Sequence, residues 1–240
     1  MNYQYRLKTI LNIVTRLFRY NLKIIFANKF IYFLLAAIII FLLVTGIILL
    51  DSDANPTEGT VYYLLLFPGT LLIFYPTVFG IQNDVDTQMI EILFGIPNYR
   101  YKVWLVRIVL IYIVVTGILL ILNLVSSAAL VSVPVFKMAY QLMFPIFFLG
   151  SLAFMVSTLV RNGNGTAVII IIIGLAFWIA SEPLAASSWN LFLNPFSVPS
   201  NVNEAVWADT TFNNRLYLSL GTVVAILFGL LFLQKREKFI

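Results

Sequence analysis

The chain has 240 residues, of which 61% are hydrophobic and only 10% charged, against about 25% charged in an ordinary soluble domain. A soluble fold of this length has no interior large enough for so much apolar surface, so lipid is the solvent that fits. There is no cysteine and no histidine, which removes disulfides, thiolate and imidazole chemistry, and the usual zinc ligands. The net charge of +5 points to membrane flanks and not to nucleic acid, because most of the basic residues border apolar runs.

In chain order, the first 28 residues predict an amphipathic helix. On a 100° wheel Leu7, Leu11, Val14, Phe18, Leu22 and Ile25 share one face, and Lys8, Asn12, Arg16, Arg19 and Lys23 the other. Such a helix lies in the membrane interface, with the basic face of Lys8, Arg16, Arg19 and Lys23 on anionic headgroups. No short apolar run with a small-residue cleavage site follows Arg6 and Lys8 directly, so a removable signal peptide is not expected.

Residues 30–50 are 21 consecutive uncharged residues, which at about 1.5 Å each cover the roughly 30 Å hydrocarbon core. The stretches 61–81, 108–130, 138–160, 166–181 and 216–233 predict five further spans. The fifth is short unless Gly163 and Gly165 form a tight turn at its start. Pro68, Gly69 and Pro76 in the second span read as packing kinks, tolerated where neighbouring helices satisfy the backbone. Thr70, Tyr75, Thr116, Asn123, Ser151 and Ser157 read as groups that hydrogen-bond between helices.

With the N-terminus inside, the inner segments carry 13 of the 15 basic residues, and the outer ones only Lys137 and Arg215. The positive-inside rule then places both termini in the cytoplasm of a multi-pass protein of the plasma (cell inner) membrane. The longest connections are a cytoplasmic loop at 82–107 and an outer one at 182–215. In the inner loop, Asp84 and Asp86 precede an apolar stretch that stops at Gly95 and Pro97. That pattern predicts a short helix, Thr87 to Phe94, presenting Met89, Ile92, Leu93 and Phe94 with the single charge of Glu91 to a partner or the membrane surface. In the outer loop, Trp189, Leu191, Phe192 and Leu193, and then Val206 and Trp207, predict two short helices dipping into the interface.

The ten acidic residues fall in loops or tails, and none sits at the middle of an expected span, where an ion-coupled carrier keeps its charge. No GxxxxGK[ST] motif is present, and NGNG at 162–165 reads as a turn and not a phosphate cradle. No cofactor is expected on this chain, and any ATP and Mg would belong to a separate ATPase.

The stretch NDVDTQMIEILFGIPNYRYKVWLVRIVL, Asn83 to Leu110, resembles the loop after the second span in permeases of type-2 ABC transporters, the family of bacterial drug, antibiotic and polysaccharide exporters. LAFMVSTLVRNGNGTA at 152–167 is a weaker match to that family's turn between the fourth and fifth spans. Asp86 stands where the family usually has glycine, and the customary Arg/Glu-rich lead-in is reduced to Asn83–Asp86.

The resemblance implies an all-α integral membrane fold over residues 1–240. It would have six transmembrane helices, an N-terminal interfacial helix at 1–28 and a short re-entrant outer segment within 182–215. It also implies a coupling helix seated on the ATPase through Asp86, Thr87, Met89, Glu91, Ile92, Leu93, Phe94, Pro97 and Arg100. The transmembrane path would run between two permease chains, identical or paralogous, with Phe67, Thr70, Phe74, Tyr75, Phe177 and Trp178 on its walls. Two ATPase subunits would complete the exporter, and the chain itself would not be an enzyme. A membrane-embedded enzyme and an assembly subunit without transport activity are the alternatives.

The charge asymmetry makes a direct prediction. In whole cells, Asn55→Cys and Ser200→Cys should react with a membrane-impermeant maleimide, and Asn98→Cys only after permeabilisation. Labelling of Asn98→Cys in intact cells would reverse the orientation.

Overall fold

The computed structural model describes residues 29–86, 100–200 and 202–233. Six helices long and apolar enough to cross a membrane account for most of them, and the chain is an all-helical multi-pass membrane protein. The helices are α1 (Phe30–Leu50), α2 (Glu58–Asp86), α3 (Val106–Ala129), α4 (Val135–Val160), α5 (Gly163–Ser181) and α6 (Glu204–Phe232). A π-helical turn, Arg100–Leu105, leads into α3. The expected interfacial helix at 1–28 and the expected helix at 87–94 lie outside the described residues.

The starts of α2, α5 and α6 are set by short polar side chains. Thr57 Oγ1 accepts from Thr60 N at 3.3 Å while Thr60 Oγ1 accepts from Thr57 N at 3.2 Å, a reciprocal cap at the start of α2. Asn162 and Asn203 open α5 and α6 by accepting from Gly165 N and Ala205 N, each at 3.0 Å. Between α4 and α5 only two residues intervene. Arg161 takes the left-handed conformation (φ 59°), which turns the chain sharply enough for Asn162 to cap the next helix at once. Gly163 is therefore the first residue of α5 and not part of a separate turn.

Two helices are longer than their apolar runs. At about 1.5 Å per residue, the 29 residues of α2 and of α6 each reach about 43 Å, well past a hydrocarbon core of about 30 Å. The sixth span begins at Glu204, not near 216, and Val206 and Trp207 belong to its first turns. From Glu182 to Ser200 the chain is a succession of turns and bends with no helix, so the expected pair of short interfacial helices is not what forms. This segment caps one end of the bundle: Leu191, Phe192 and Leu193 are buried while Trp189 stays exposed and stacks on Tyr217 of α6 with ring centres 4.7 Å apart.

The helix α2 is the axle of the bundle, packed against α1, α3, α4 and α5. Tyr62, Leu65, Leu72 and Ile73 on it are fully buried with Leu119 of α3 and Leu142 and Ile146 of α4. In lipid the solvent is as apolar as leucine, so close packing has to supply the attraction. Glycines allow it. A Cβ on Gly69 would collide with Ile146 and Leu119, one on Gly150 would stand 2.7 Å from Ile73 Cγ1, and one on Gly229 would stand 2.8 Å from Phe154 Cδ1.

Of the six mid-span polar residues, Ser157, Asn123 and Thr116 do reach a neighbouring helix, at Val78 O (3.1 Å), Val135 O (2.8 Å) and Met143 Sδ (3.1 Å). Thr70, Ser151 and Tyr75 instead bond within their own helices. A hydroxyl one turn from a carbonyl finds it without any interhelical fit.

Gly150→Leu and Gly229→Leu should each destabilise the bundle by about 1–3 kcal/mol, read as earlier thermal unfolding in detergent. Gly117→Leu is the control, since nothing lies within 4 Å of its missing Cβ. Equal unfolding temperatures for all three would rule out tight α2–α4 and α4–α6 packing.

Candidate functional site

A cavity of about 600 Å³ opens among α1, α2, α4 and α5. Its main wall is one face of α2, where Tyr63, Phe67, Thr70, Phe74 and Thr77 recur every three or four residues. That stripe spans 15 positions, about 21 Å of helix axis. Opposite stand Ile171, Leu175 and Trp178 of α5. Phe33 of α1 and Phe192 of the cap also contribute, and Leu149 and Ala153 of α4 face the same space.

The walls carry almost no polarity. Thr70 Oγ1 donates to Phe67 O at 2.8 Å, and Thr77 Oγ1 donates to Ile73 O at 2.7 Å. Both hydroxyls spend their protons on the backbone of α2, beside Pro68 and Pro76, whose rings interrupt the helical hydrogen bonding. Gly174 leaves part of the space empty, since a Cβ there would meet nothing within 4 Å. Chemically, such a cavity holds apolar or amphiphilic matter by shape and dispersion and offers no charged group for an ion.

Four of the six expected path residues, Phe67, Thr70, Phe74 and Trp178, line this cavity. Tyr75 and Phe177 do not. Tyr75 is buried on the adjoining face of α2, between Phe33 (ring centres 5.0 Å) and Phe79 (5.6 Å), and its hydroxyl accepts from Asn83 Nδ2 at 3.2 Å. Phe177 packs edge-on against Phe148 of α4 at 6.4 Å. Helical periodicity separates them: Phe74 and Tyr75, like Phe177 and Trp178, are adjacent in sequence and so about 100° apart.

Each end of α2 is held by polar side chains. At the end nearer residues 87–99, Arg107 NH1 of α3 donates to Asp84 Oδ2 at 2.5 Å, with both side chains almost wholly buried. The Arg107 guanidinium also lies over the Trp104 ring, 4.9 Å from its centre. Nearby, Gly163 N donates to Gln82 Oε1 at 2.5 Å, tying the start of α5 to the same turns of α2. Asp84 is thus inside α2 and paired, where the sequence suggested a loop acid. At the capped end, Asn194 Nδ2 donates to Gly59 O at 3.0 Å. Arg215 of α6 donates to Leu193 O (3.1 Å), Gln141 Oε1 (2.8 Å), Asn214 Oδ1 (2.8 Å) and Tyr62 Oη (3.4 Å).

Neither arginine stood out as a site residue in the sequence. For Arg107 the available signal was an opposite charge, Asp84, at the facing end of the preceding span. For Arg215 it was a cation one residue before the apolar run Leu216–Phe232.

Among the expected ATPase contacts, Asp86 is the exposed last residue of α2 and Arg100 opens the π-helical turn. Thr87, Met89, Glu91, Ile92, Leu93, Phe94 and Pro97 lie outside the described residues, as do Lys8, Arg16, Arg19 and Lys23. No protein-family model matches the chain, and no curated protein or solved structure matches it significantly.

Arg107→Leu should cost about 3–5 kcal/mol, because it strips a buried carboxylate of its countercharge, whereas the double variant Asp84→Leu/Arg107→Leu should recover most of that loss. Thermal unfolding of the two variants in one detergent decides it. A double variant no more stable than the single one would mean that the pair does not couple α2 to α3.

Proposed function

We propose that the chain is the membrane subunit of an ATP-driven exporter, working with a second permease chain and two copies of a separate ATPase. The observation that carries this reading is mechanical: the loop resembling a coupling segment departs from a helix that is also the wall of the apolar cavity. Force applied at residues 87–99 would reach Phe74, Thr70 and Phe67 through one continuous helix. The Asp84–Arg107 pair would make α3 move with it.

ATP closing the ATPase pair would then favour one arrangement of the bundle over another, which is the only way a nucleotide can drive a conformational change. The charge asymmetry supports a cytoplasmic location for this end of the bundle, for both termini and for the ATPase, with the capped end outside in a plasma-membrane protein. The cargo that fits the cavity is an amphiphile or lipid-like molecule without a charge that must be buried. Both α1 and α5 turn broad apolar faces outward, among them Ile31, Leu35 and Ile39 on α1 and Val168, Ile172 and Ile179 on α5. These flank the cavity and suit a second permease chain.

Two sets of variants test the reading. Glu91→Lys and Leu93→Asp should release the ATPase or uncouple its hydrolysis, since an interface anchor commonly contributes 2 kcal/mol or more, roughly thirtyfold in affinity. Gly174→Phe, at a position where a Cβ meets nothing within 4 Å, should narrow the cavity and abolish transport while the ATPase still co-purifies. Retained co-purification and stimulated hydrolysis in both loop variants would remove the motor from the proposal. Undiminished export by Gly174→Phe would remove the cavity.

A further inference from the structure

A second cavity, of about 610 Å³, lies at the capped end between α4 and α6 and is separate from the first. It runs along α6 from Glu204 at its mouth to Ser219 at its deep end, about 22 Å of helix. Arg215 lines it and is almost wholly buried, yet the acceptors around its guanidinium are a carbonyl, two amides and a phenol, all neutral. A buried cation compensated only by dipoles keeps its full charge in a medium of low dielectric and attracts an anion strongly.

A second cation, the exposed Lys137, lines the same cavity and stands over the Phe196 ring at 5.7 Å. Among the described residues the one acid on the walls is Glu204, exposed at the mouth and 11 residues, about 16 Å along α6, from Arg215. Two cations and one carboxylate leave the cavity with one net positive charge. Trp207 and Thr211 also line it, and Trp207 Nε1 and Thr211 Oγ1 have no hydrogen-bond partner among the described residues.

Depth decides what class of anion fits. Arg215 sits where the polar turns of α6 give way to Leu216–Phe232, which places it at the boundary between headgroups and hydrocarbon. From the level of Arg215 toward the deep end the walls include Phe144 and Leu216, surface that a free phosphate ion would leave uncovered.

We propose that this cavity binds an anionic phospholipid. Its phosphate lies against Arg215 and Lys137, and an acyl chain runs along Phe144 and Leu216. The lipid holds the cap in place, since Arg215 also carries Leu193 O. The inference rests on the fold alone and stands whether or not the chain exports anything.

Native mass spectrometry of the full chain, exchanged into mixed micelles containing phosphatidylglycerol or phosphatidylcholine, tests it. The wild type should retain phosphatidylglycerol at least about tenfold better, a difference of about 1.4 kcal/mol, and should unfold at a higher temperature with it. Lys137→Gln removes one exposed cation, and Ala208→Trp fills the space from an exposed position. Both should lose most of the preference while unfolding normally in phosphatidylcholine. Equal retention of the two lipids by the wild type would overturn the proposal, as would an undiminished preference in both variants. Equal stabilisation by inorganic phosphate without lipid would also overturn it, by assigning the site to a small anion.

Discussion

Everything in this bundle hangs on α2 being pinned at both ends by polar side chains in a solvent that gives its middle no reason to associate. Hydrocarbon does not drive helices together as water does, so contacts along the middle of α2 hold only through close packing. At one end the Asp84–Arg107 pair and the Gln82–Gly163 bond fix it to α3 and α5. At the other, Asn194 and Arg215 fix it to the cap and, through Gln141, to α4. An ion pair at 2.5 Å with both partners buried is costly to assemble but far costlier to break singly. Such a pair suits a fixed joint better than a sliding one.

The cavity follows from that arrangement. Glycines at 69 and 150 draw α2 tightly against α3 and α4. The face of α2 that carries Phe67 and Phe74 looks across the cavity to α1, α5, the cap and Leu149 and Ala153 of α4, and Gly174 of α5 contributes no side chain. The tight side follows from glycines at the α2–α3 and α2–α4 contacts, and the open side from the aromatic rings along the other face of α2. Pro68 and Pro76 sit on the buried side, so the irregular hydrogen bonding they cause is covered by protein and not by lipid, where it would be expensive.

The six spans were legible because a run of about 20 uncharged residues has few other homes than a bilayer. What hydropathy could not read was the helix beyond the apolar run. Residues 204–215 of α6 carry two acids, an arginine and two asparagines, so they look like loop, yet Asn203 caps them into the same continuous helix. The same blindness placed Asp84 in a loop. Along α2 and α5 the aromatic residues were visible as candidates, but telling Phe74 from Tyr75, or Trp178 from Phe177, needed the rotational phase of each helix. That phase is fixed by contacts such as Tyr75 against Phe33, which join residues 42 positions apart. The turns from 182 to 200 were misjudged because tryptophan and leucine near an interface look alike whether helical or not. Their conformation is set by side chains such as Asn190 and Asn194, which accept from the backbone two residues on and lock successive turns.

In the exporter proposed above, selectivity would have to come from shape. In the apolar cavity the threonine protons are committed to their own helix, and no acid or base is present to impose stoichiometric charge coupling. A cargo bound there gains dispersion and loses little hydration only if it already partitions into lipid. Its affinity for the cavity over the surrounding bilayer must then be modest, because the two environments are similar. Modest affinity is what release on the far side would require under that proposal: a site that bound an apolar cargo much better than lipid would retain it. Work on such a cargo would be done by changing the width of the space between α2 and α5. Pro68 and Pro76 interrupt the hydrogen bonding of α2, so bending of that wall would concentrate at those two points, between its two anchored ends.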